Sequence, residues 1–290
     1  MSQTAMKWIA VILMTIDHIG GIFPGMPELL RWIGRLSMPI FLFCALQSYE
    51  KTRNREAYLL RLYLCGLGMA AGDLALSLLL HLQQPIENNI FPGLLCALLA
   101  IWLPECGKKH AALYTGLFWI GGIAAAQGFL MLCAHFGWPL EWCKMPFAAL
   151  TANLCLSEYG LYIVFLALLL HRDRKQPEKM ALGYLIFHGL YLLCGLHGIG
   201  YRLLCAMGLR WLADAIWPLC YQSYLPLWPW DVSWMGFCQW LAVFSLPLML
   251  LYNGQRGSGR KWFFYGYYPL HVWALYLLLA ILMKMGIFAA

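Results

Sequence analysis

About ten apolar runs, at roughly 5–24, 29–49, 58–82, 89–104, 111–136, 147–170, 180–199, 202–219, 233–252 and 262–286, take up most of this 290-residue chain. A helix needs roughly 20 predominantly apolar residues to cross a bilayer, and once these are counted little chain remains outside. Composition points the same way. The chain is 62% hydrophobic and 11% charged, with mean hydropathy +0.66, whereas soluble domains carry about 25% charged residues. The expectation is an all-α, polytopic membrane bundle of nine or ten hydrophobic helices. It forms one domain over 1–290, with short loops and no soluble domain.

The first run follows Lys7 but contains Asp17-His18 and lacks a small-residue cleavage site, so it reads as a retained helix rather than a signal peptide. Eleven cysteines, none in a C-x-x-C pair, argue against a metal site or a disulfide framework and suit apolar packing. The cationic residues cluster at Lys51, Arg53 and Arg55; at Lys108 and Lys109; at Arg172, Arg174, Lys175 and Lys179; and at Arg256, Arg260 and Lys261. The positive-inside rule makes all four clusters, and the N-terminus, cytoplasmic. Three runs separate the third cluster from the fourth, and an odd number of spans cannot return the chain to the same side. The 202–219 run is therefore expected to be interfacial or re-entrant: it carries Arg202, Arg210 and Asp214 and leads into the aromatic, proline-rich stretch Trp217 to Asp231.

Ionisable residues inside such runs cost a few kcal/mol and mark function by default. Counting 1.5 Å per residue, His18 lies roughly 20 Å and Asp73 roughly 22 Å from the cytoplasmic start of their helices. Arg35 is about six residues in from the outer end of its helix, and His271 about nine from the inner end of the last. The shared depth predicts a single buried polar site. Arg31 and Arg35, four apart, share a helix face; either could serve substrate, or Arg31 could snorkel while Arg35 pairs with Asp17 or Asp73. Asp17 and His18 point about 100° apart and cannot pair with each other. If His18 is a base, a carboxylate such as Asp73 or Glu158 must orient it, leaving Asp17 to hold an arginine.

In the last run Tyr265, Tyr268 and His271 recur every three residues, and Pro269 frees a backbone carbonyl and can kink the helix. The segment Asn253 to Lys261 offers three cations and glycine-rich backbone to phosphate, or is simply a flexible positive-inside loop. Gly68-x-x-x-Gly72 is expected to serve close helix packing.

Several segments also resemble one family. Met6-Lys7-Trp8-Ile9-Ala10 through Met14-Thr15-Ile16-Asp17-His18-Ile19-Gly20, Leu30-Arg31-Trp32-Ile33-Gly34-Arg35-Leu36-Ser37-Met38-Pro39-Ile40-Phe41, Tyr252-Asn253-Gly254 with Arg256-Gly257, and Tyr268-Pro269-Leu270-His271 look like the TraX family, as do Lys51-Thr52-Arg53-Asn54 with Tyr58 and Arg61-Leu62. The resemblance covers both ends and is weaker from about 105 to 230. TraX-like proteins resemble integral-membrane acyltransferases, the founding member acetylating the N-terminus of conjugative pilin. The resemblance implies active-site positions at Asp17, His18, Arg31, Arg35, Tyr268 and His271. Where family members often have a glutamate followed by Pro-Phe, this chain has Asp73-Leu74-Ala75.

The function expected is acetyl transfer from cytoplasmic acetyl-CoA to an amine or hydroxyl, on a protein N-terminus or an envelope glycan, by a multi-pass protein of the bacterial inner membrane. The expected catalytic set is His18 as base with Asp17, Arg35, His271 and Asp73. Arg31, Arg256, Arg260, Lys261 and Tyr268 are expected at the donor; neither a metal nor nucleic acid is implied. A covalent acetyl-histidine is equally compatible. A proton-coupled transporter is the alternative, though no inverted repeat is visible, and a non-catalytic membrane assembly factor is a third.

Overall fold

The structure, a computed structural model, describes residues 1–106, 109–195, 198–214 and 238–288. These are helical throughout, with no strand among them. In chain order the α-helices are α1 (Gln3–Ile22), α2 (Glu28–Gly34), α3 (Ser37–Lys51), α4 (Arg55–Leu79), α5 (Ile90–Glu105), α6 (Ala111–Phe136), α7 (Leu140–Thr151), α8 (Gly160–Arg172), α9 (Pro177–Gly195), α10 (Ile199–Ala206), α11 (Leu246–Leu250) and α12 (Lys261–Lys284). A 3-10 turn at Leu154–Leu156 and a 3-10 helix at Cys238–Ser245 interrupt the series. The described residues gather into two compact units, one built from 1–45, 172–214 and 238–288, the other from 46–171.

By length and composition five helical segments suffice to cross a membrane: Gln3–Ile22, Glu28–Lys51, Arg55–Leu79, Ala111–Phe136 and Trp262–Lys284. Helices α9 and α10, joined at a 70° bend, make a sixth if counted together, and Ile90–Glu105, Gly160–Arg172 and Cys238–Leu250 are shorter apolar segments. The expected run at 202–219 thus starts inside α10. Its end, with Trp217 to Asp231, lies outside the described residues.

In the first unit, α1 packs chiefly against α2 and also against α12. The α1–α2 pair is a tight hairpin whose turn uses Gly25 at φ +76°, a conformation that favours glycine. Small residues then let the backbones close. A Cβ on Gly20 would stand 2.7 Å from Leu30 Cβ, one on Gly21 2.7 Å from Arg31 Nη1, and one on Gly34 would overlap Asp17.

At its other end α1 is held by the loop that precedes α12. Gln3 N–H donates to Gln255 O (2.9 Å), Thr4 N–H and Thr4 hydroxyl donate to Arg256 O (3.2 and 2.9 Å), and Asn253 N–H donates to Met1 O (3.0 Å). The Met1 ammonium donates to Leu251 O. The loop carbonyls therefore satisfy donors that a helix N-terminus leaves open. Gly257, at φ +75°, passes so close that a Cβ would lie 2.8 Å from Ser2 Oγ.

The same two levels explain the 3-10 helix. From Met1 to Asp17 the chain uses about sixteen residues, or roughly 24 Å of α-helix. The returning segment, from Gln239 to Leu251, has only about twelve, which as α-helix would reach roughly 18 Å. Winding Cys238–Ser245 as 3-10 at about 2.0 Å per residue recovers roughly half of the difference.

In the second unit α5 is buried along most of its length, from Ile90 to Ile101, as expected of a helix apolar on all sides. It packs against α4, α6 and α7. Asn89 caps α5 by accepting from Phe91 N–H (3.2 Å) and reaches α4 by donating to Gly66 O (2.9 Å). The close approach on α4 is at Gly66, whose added Cβ would meet Phe91 Cβ at 3.3 Å, while Gly68 faces open space; the expectation for Gly68 is corrected accordingly. The apolar run 147–170 is also corrected, because it is not one helix. Ala152 (φ 47°) and Tyr159 (φ 69°) take left-handed backbone, and Asn153 stabilises the break by accepting from Cys155 N–H and donating to Gly122 O. Polar contacts tie the helix ends: His171 lies 2.9 Å from both Glu50 and Glu105, and Glu105 pairs with Arg55 at 3.1 Å. No disulfide joins the described cysteines.

Candidate functional site

The α1–α2 hairpin places one carboxylate between two guanidinium groups. Arg31 Nη1 donates to Asp17 Oδ2 at 2.9 Å and to the Asp17 carbonyl at 3.1 Å. Arg35 Nη2 donates to both carboxylate oxygens, at 2.9 and 3.1 Å, and its Nε donates to Arg31 O at 3.3 Å. The four-residue spacing on α2 aims both arginines at one point, and Gly34 between them leaves the space Asp17 occupies. Asp17 is buried, so its charge must be met by partners. Both guanidinium groups are thus directed at this one carboxylate.

This packing carries a prediction. Gly34→Ala should push Asp17 off Arg35 and lower stability by about 1–3 kcal/mol, the usual cost of overpacking, read as a lower thermal midpoint in detergent. Gly68→Ala, which meets nothing, is the control expected to stay at or above the wild-type midpoint, since alanine favours helix over glycine by up to about 1 kcal/mol.

One residue on, His18 points to α12. Its Nδ1 lies 2.7 Å from His271 Nε2, with the two rings stacked at 12° and centroids 4.9 Å apart. The proton order in the neutral pair follows from the far side. His271 Nδ1 is 2.9 Å from the carbonyl of Tyr267, which only accepts, so His271 Nδ1 carries the proton and its Nε2 accepts. His18 Nδ1–H must then donate, and the lone pair of His18 lies on Nε2, which has no hydrogen-bond partner among the described residues. The chain Tyr267 C=O, His271, His18 is thus oriented to present one basic nitrogen.

Two tyrosines frame the pair. Tyr267 stacks on His271 (4.9 Å, 10°), and its hydroxyl donates to Thr15 Oγ1 at 2.8 Å, the Thr15 proton being given to Val11 O. Tyr268 is buried and sits edge-on to both imidazoles, 6.3 Å from His18 and 5.8 Å from His271. Both arginines lie within electrostatic range of His18.

Of the residues singled out from sequence, Asp17, His18, Arg31, Arg35, Tyr268 and His271 come together in the first unit. The orienting partner of His18 is corrected: it is an imidazole, His271, and not a carboxylate. Asp73 and Glu158 belong to the second unit. There the Asp73 carbonyl accepts from Ser77 Oγ at 2.6 Å. Arg256 and Arg260 are exposed on the loop docked against residues 1–4, and Lys261 opens α12. That loop is not a free segment, since its carbonyls are engaged as described.

Two residues escaped the sequence reading. Tyr267 was hidden because a three-residue count from His271 selects Tyr268, whereas the stacking and the carbonyl contact use the i, i+4 relation. Gln239, on the 3-10 helix, accepts from Arg35 Nη1 at 3.4 Å. No sequence signal marks it, because a lone glutamine carries no formal charge.

Helices of membrane-spanning length around a buried ionic and imidazole centre define a polytopic integral membrane protein with an internal polar site. The family model described as TraX protein matches residues 2–279, and the chain belongs to the TraX family. A relative named "Probable fimbrial assembly protein FimC, serogroup H1", from Dichelobacter nodosus, is 23% identical over 283 residues and covers 93% of each chain. An uncharacterized protein of Rickettsia prowazekii (strain Madrid E) is 46% identical over 55 residues, 18% of this chain and 22% of its own. No solved structure matches.

Proposed function

We propose that the protein is an acyltransferase that moves an acetyl group from acetyl-CoA to an amine or hydroxyl of an envelope acceptor, a protein N-terminus or a glycan. The observation that carries this reading is the oriented His18–His271 pair, whose His18 Nε2 keeps its lone pair close to two guanidinium groups. His18 Nε2 takes the proton as the acceptor N or O attacks the thioester carbonyl. The new C–N or C–O bond forms, the carbonyl becomes an oxyanion, and collapse breaks the C–S bond. The CoA thiolate then leaves with the proton held by His18. Arg31 and Arg35 favour the negative charge that develops.

The protein sits in the bacterial inner membrane with its N-terminus in the cytoplasm. The docking of residues 1–4 on the basic loop at 253–260 supports one shared side for both, and acetyl-CoA is a cytoplasmic metabolite. The fimbrial assembly name of the Dichelobacter nodosus relative makes a pilus-type subunit the first acceptor to try. Purified protein incubated with labelled acetyl-CoA and a cell-envelope extract should transfer label to envelope material. Label that stays in acetyl-CoA, with folded protein confirmed, would sink the reading.

The donor is proposed to enter past Arg256, Arg260 and Lys261. Replacing all three with glutamine should weaken acetyl-CoA binding and flatten its dependence on salt, measured by calorimetry at two ionic strengths. Unchanged affinity in a correctly inserted variant would leave the loop only its part in holding the N-terminus of α1.

A further inference from the structure

Gln239, on the Cys238–Ser245 3-10 helix, bonds to one of the paired arginines. Its amide can be oriented by elimination. A guanidinium only donates, so the atom 3.4 Å from Arg35 Nη1 is the amide oxygen. The NH2 therefore faces away from Arg35, and Gln239 Nε2 is buried with no hydrogen-bond partner among the described residues. A buried donor left unmet costs about 1–3 kcal/mol, and an orphan of this kind calls for an explanation. Here it stands at the edge of a set that holds two guanidinium groups on one carboxylate and an imidazole nitrogen with no hydrogen-bond partner among the described residues. The amide NH2 and the guanidinium groups ask for an oxygen that carries or develops negative charge, while the lone pair on His18 Nε2 asks for a proton.

We infer that the Gln239 side-chain amide donates to the thioester carbonyl oxygen of the acyl donor, so that Gln239 and Arg35 together form the oxyanion-stabilising group of the site. The inference rests on the acyl-transfer reading. In the ground state the amide binds a neutral carbonyl. As the acceptor adds to the carbonyl carbon, charge moves onto that oxygen and the same hydrogen bond strengthens, which lowers the barrier more than it tightens substrate binding. When the C–S bond breaks the carbonyl reforms and the bond relaxes. The Arg35 contact holds the amide in the correct sense, with oxygen toward the guanidinium and NH2 toward substrate. The long 3-10 segment brings Gln239 to this depth.

Two substitutions separate this role from a simple clamp on Arg35. Gln239→Glu keeps an oxygen for Arg35, with a charge that should strengthen the contact, but removes the donor. Gln239→Met keeps the approximate length and removes both functions. With labelled acetyl-CoA and envelope extract, both variants should lose about 10²- to 10³-fold in kcat, the usual cost of one oxyanion donor, with KM for acetyl-CoA within a few-fold of wild type. Acetyl-CoA binding by calorimetry confirms that each variant is folded. A Glu variant as active as wild type beside an inactive Met variant would make Gln239 only a clamp and overturn the proposal. Full activity in both would overturn it as well. A wild-type protein that binds acetyl-CoA but transfers nothing would instead remove the acyl-transfer reading, and this assignment with it.

Discussion

His18→Ala is expected to lower acyl transfer by about 10²- to 10⁴-fold, the range for loss of a positioned base, while the protein still inserts and assembles. The substitution removes the Nε2 lone pair and leaves His271 Nε2 without its donor. The latter is an unmet polar group worth about 1–3 kcal/mol, a fraction of the total stability of a folded domain, about 5–15 kcal/mol. Label transfer and gel-filtration behaviour in detergent, read on the same preparation, test the two halves of this statement. Transfer within a few-fold of wild type would make His18 structural.

Asp17→Ala is expected to act on the fold itself. It removes the carboxylate that Arg31 and Arg35 share, at 37% and 13% side-chain exposure, and removing one partner of a buried ion pair, here that with Arg35, costs about 3–5 kcal/mol. The α1–α2 hairpin should loosen, with a large drop in thermal midpoint and in recovered protein. Asp17→Asn keeps an oxygen for one arginine and should fall between. If Asp17→Ala were as stable as wild type and only slower, Asp17 would belong to the chemistry and not to the frame. Gly34→Ala reaches the same pair from the opposite side by displacing the carboxylate, and the two variants together ask whether the hairpin is needed to hold Arg35.

Much of this site was legible in the sequence, because membrane helices convert residue number into depth. Counting along the helices predicts a common level for His18, Asp73, Arg35 and His271, and the four-residue spacing of Arg31 and Arg35 predicts a shared helix face, which turns to Asp17. Depth says nothing about which helices are neighbours. Asp73 belongs to a different unit, and the imidazole that orients His18 was out of reach of any count along one helix.

The break between α7 and α8 was invisible for another reason. Its apolar residues are continuous, and what stops the helix is left-handed backbone at Ala152 and Tyr159 with the side-chain bonds of Asn153. Gln239 was missed because its role depends on 3-10 winding, which hydropathy does not encode.

The central claim, that His18 and His271 act as one unit through the 2.7 Å Nδ1 to Nε2 contact, is tested most directly by a double-mutant cycle on the transfer rate. Residues that work as a unit give strongly non-additive losses. His271→Ala alone should slow transfer, by less than His18→Ala, because it removes the acceptor that fixes the His18 tautomer. The account predicts that the double variant is no slower than His18→Ala alone. Losses that simply multiply would contradict it.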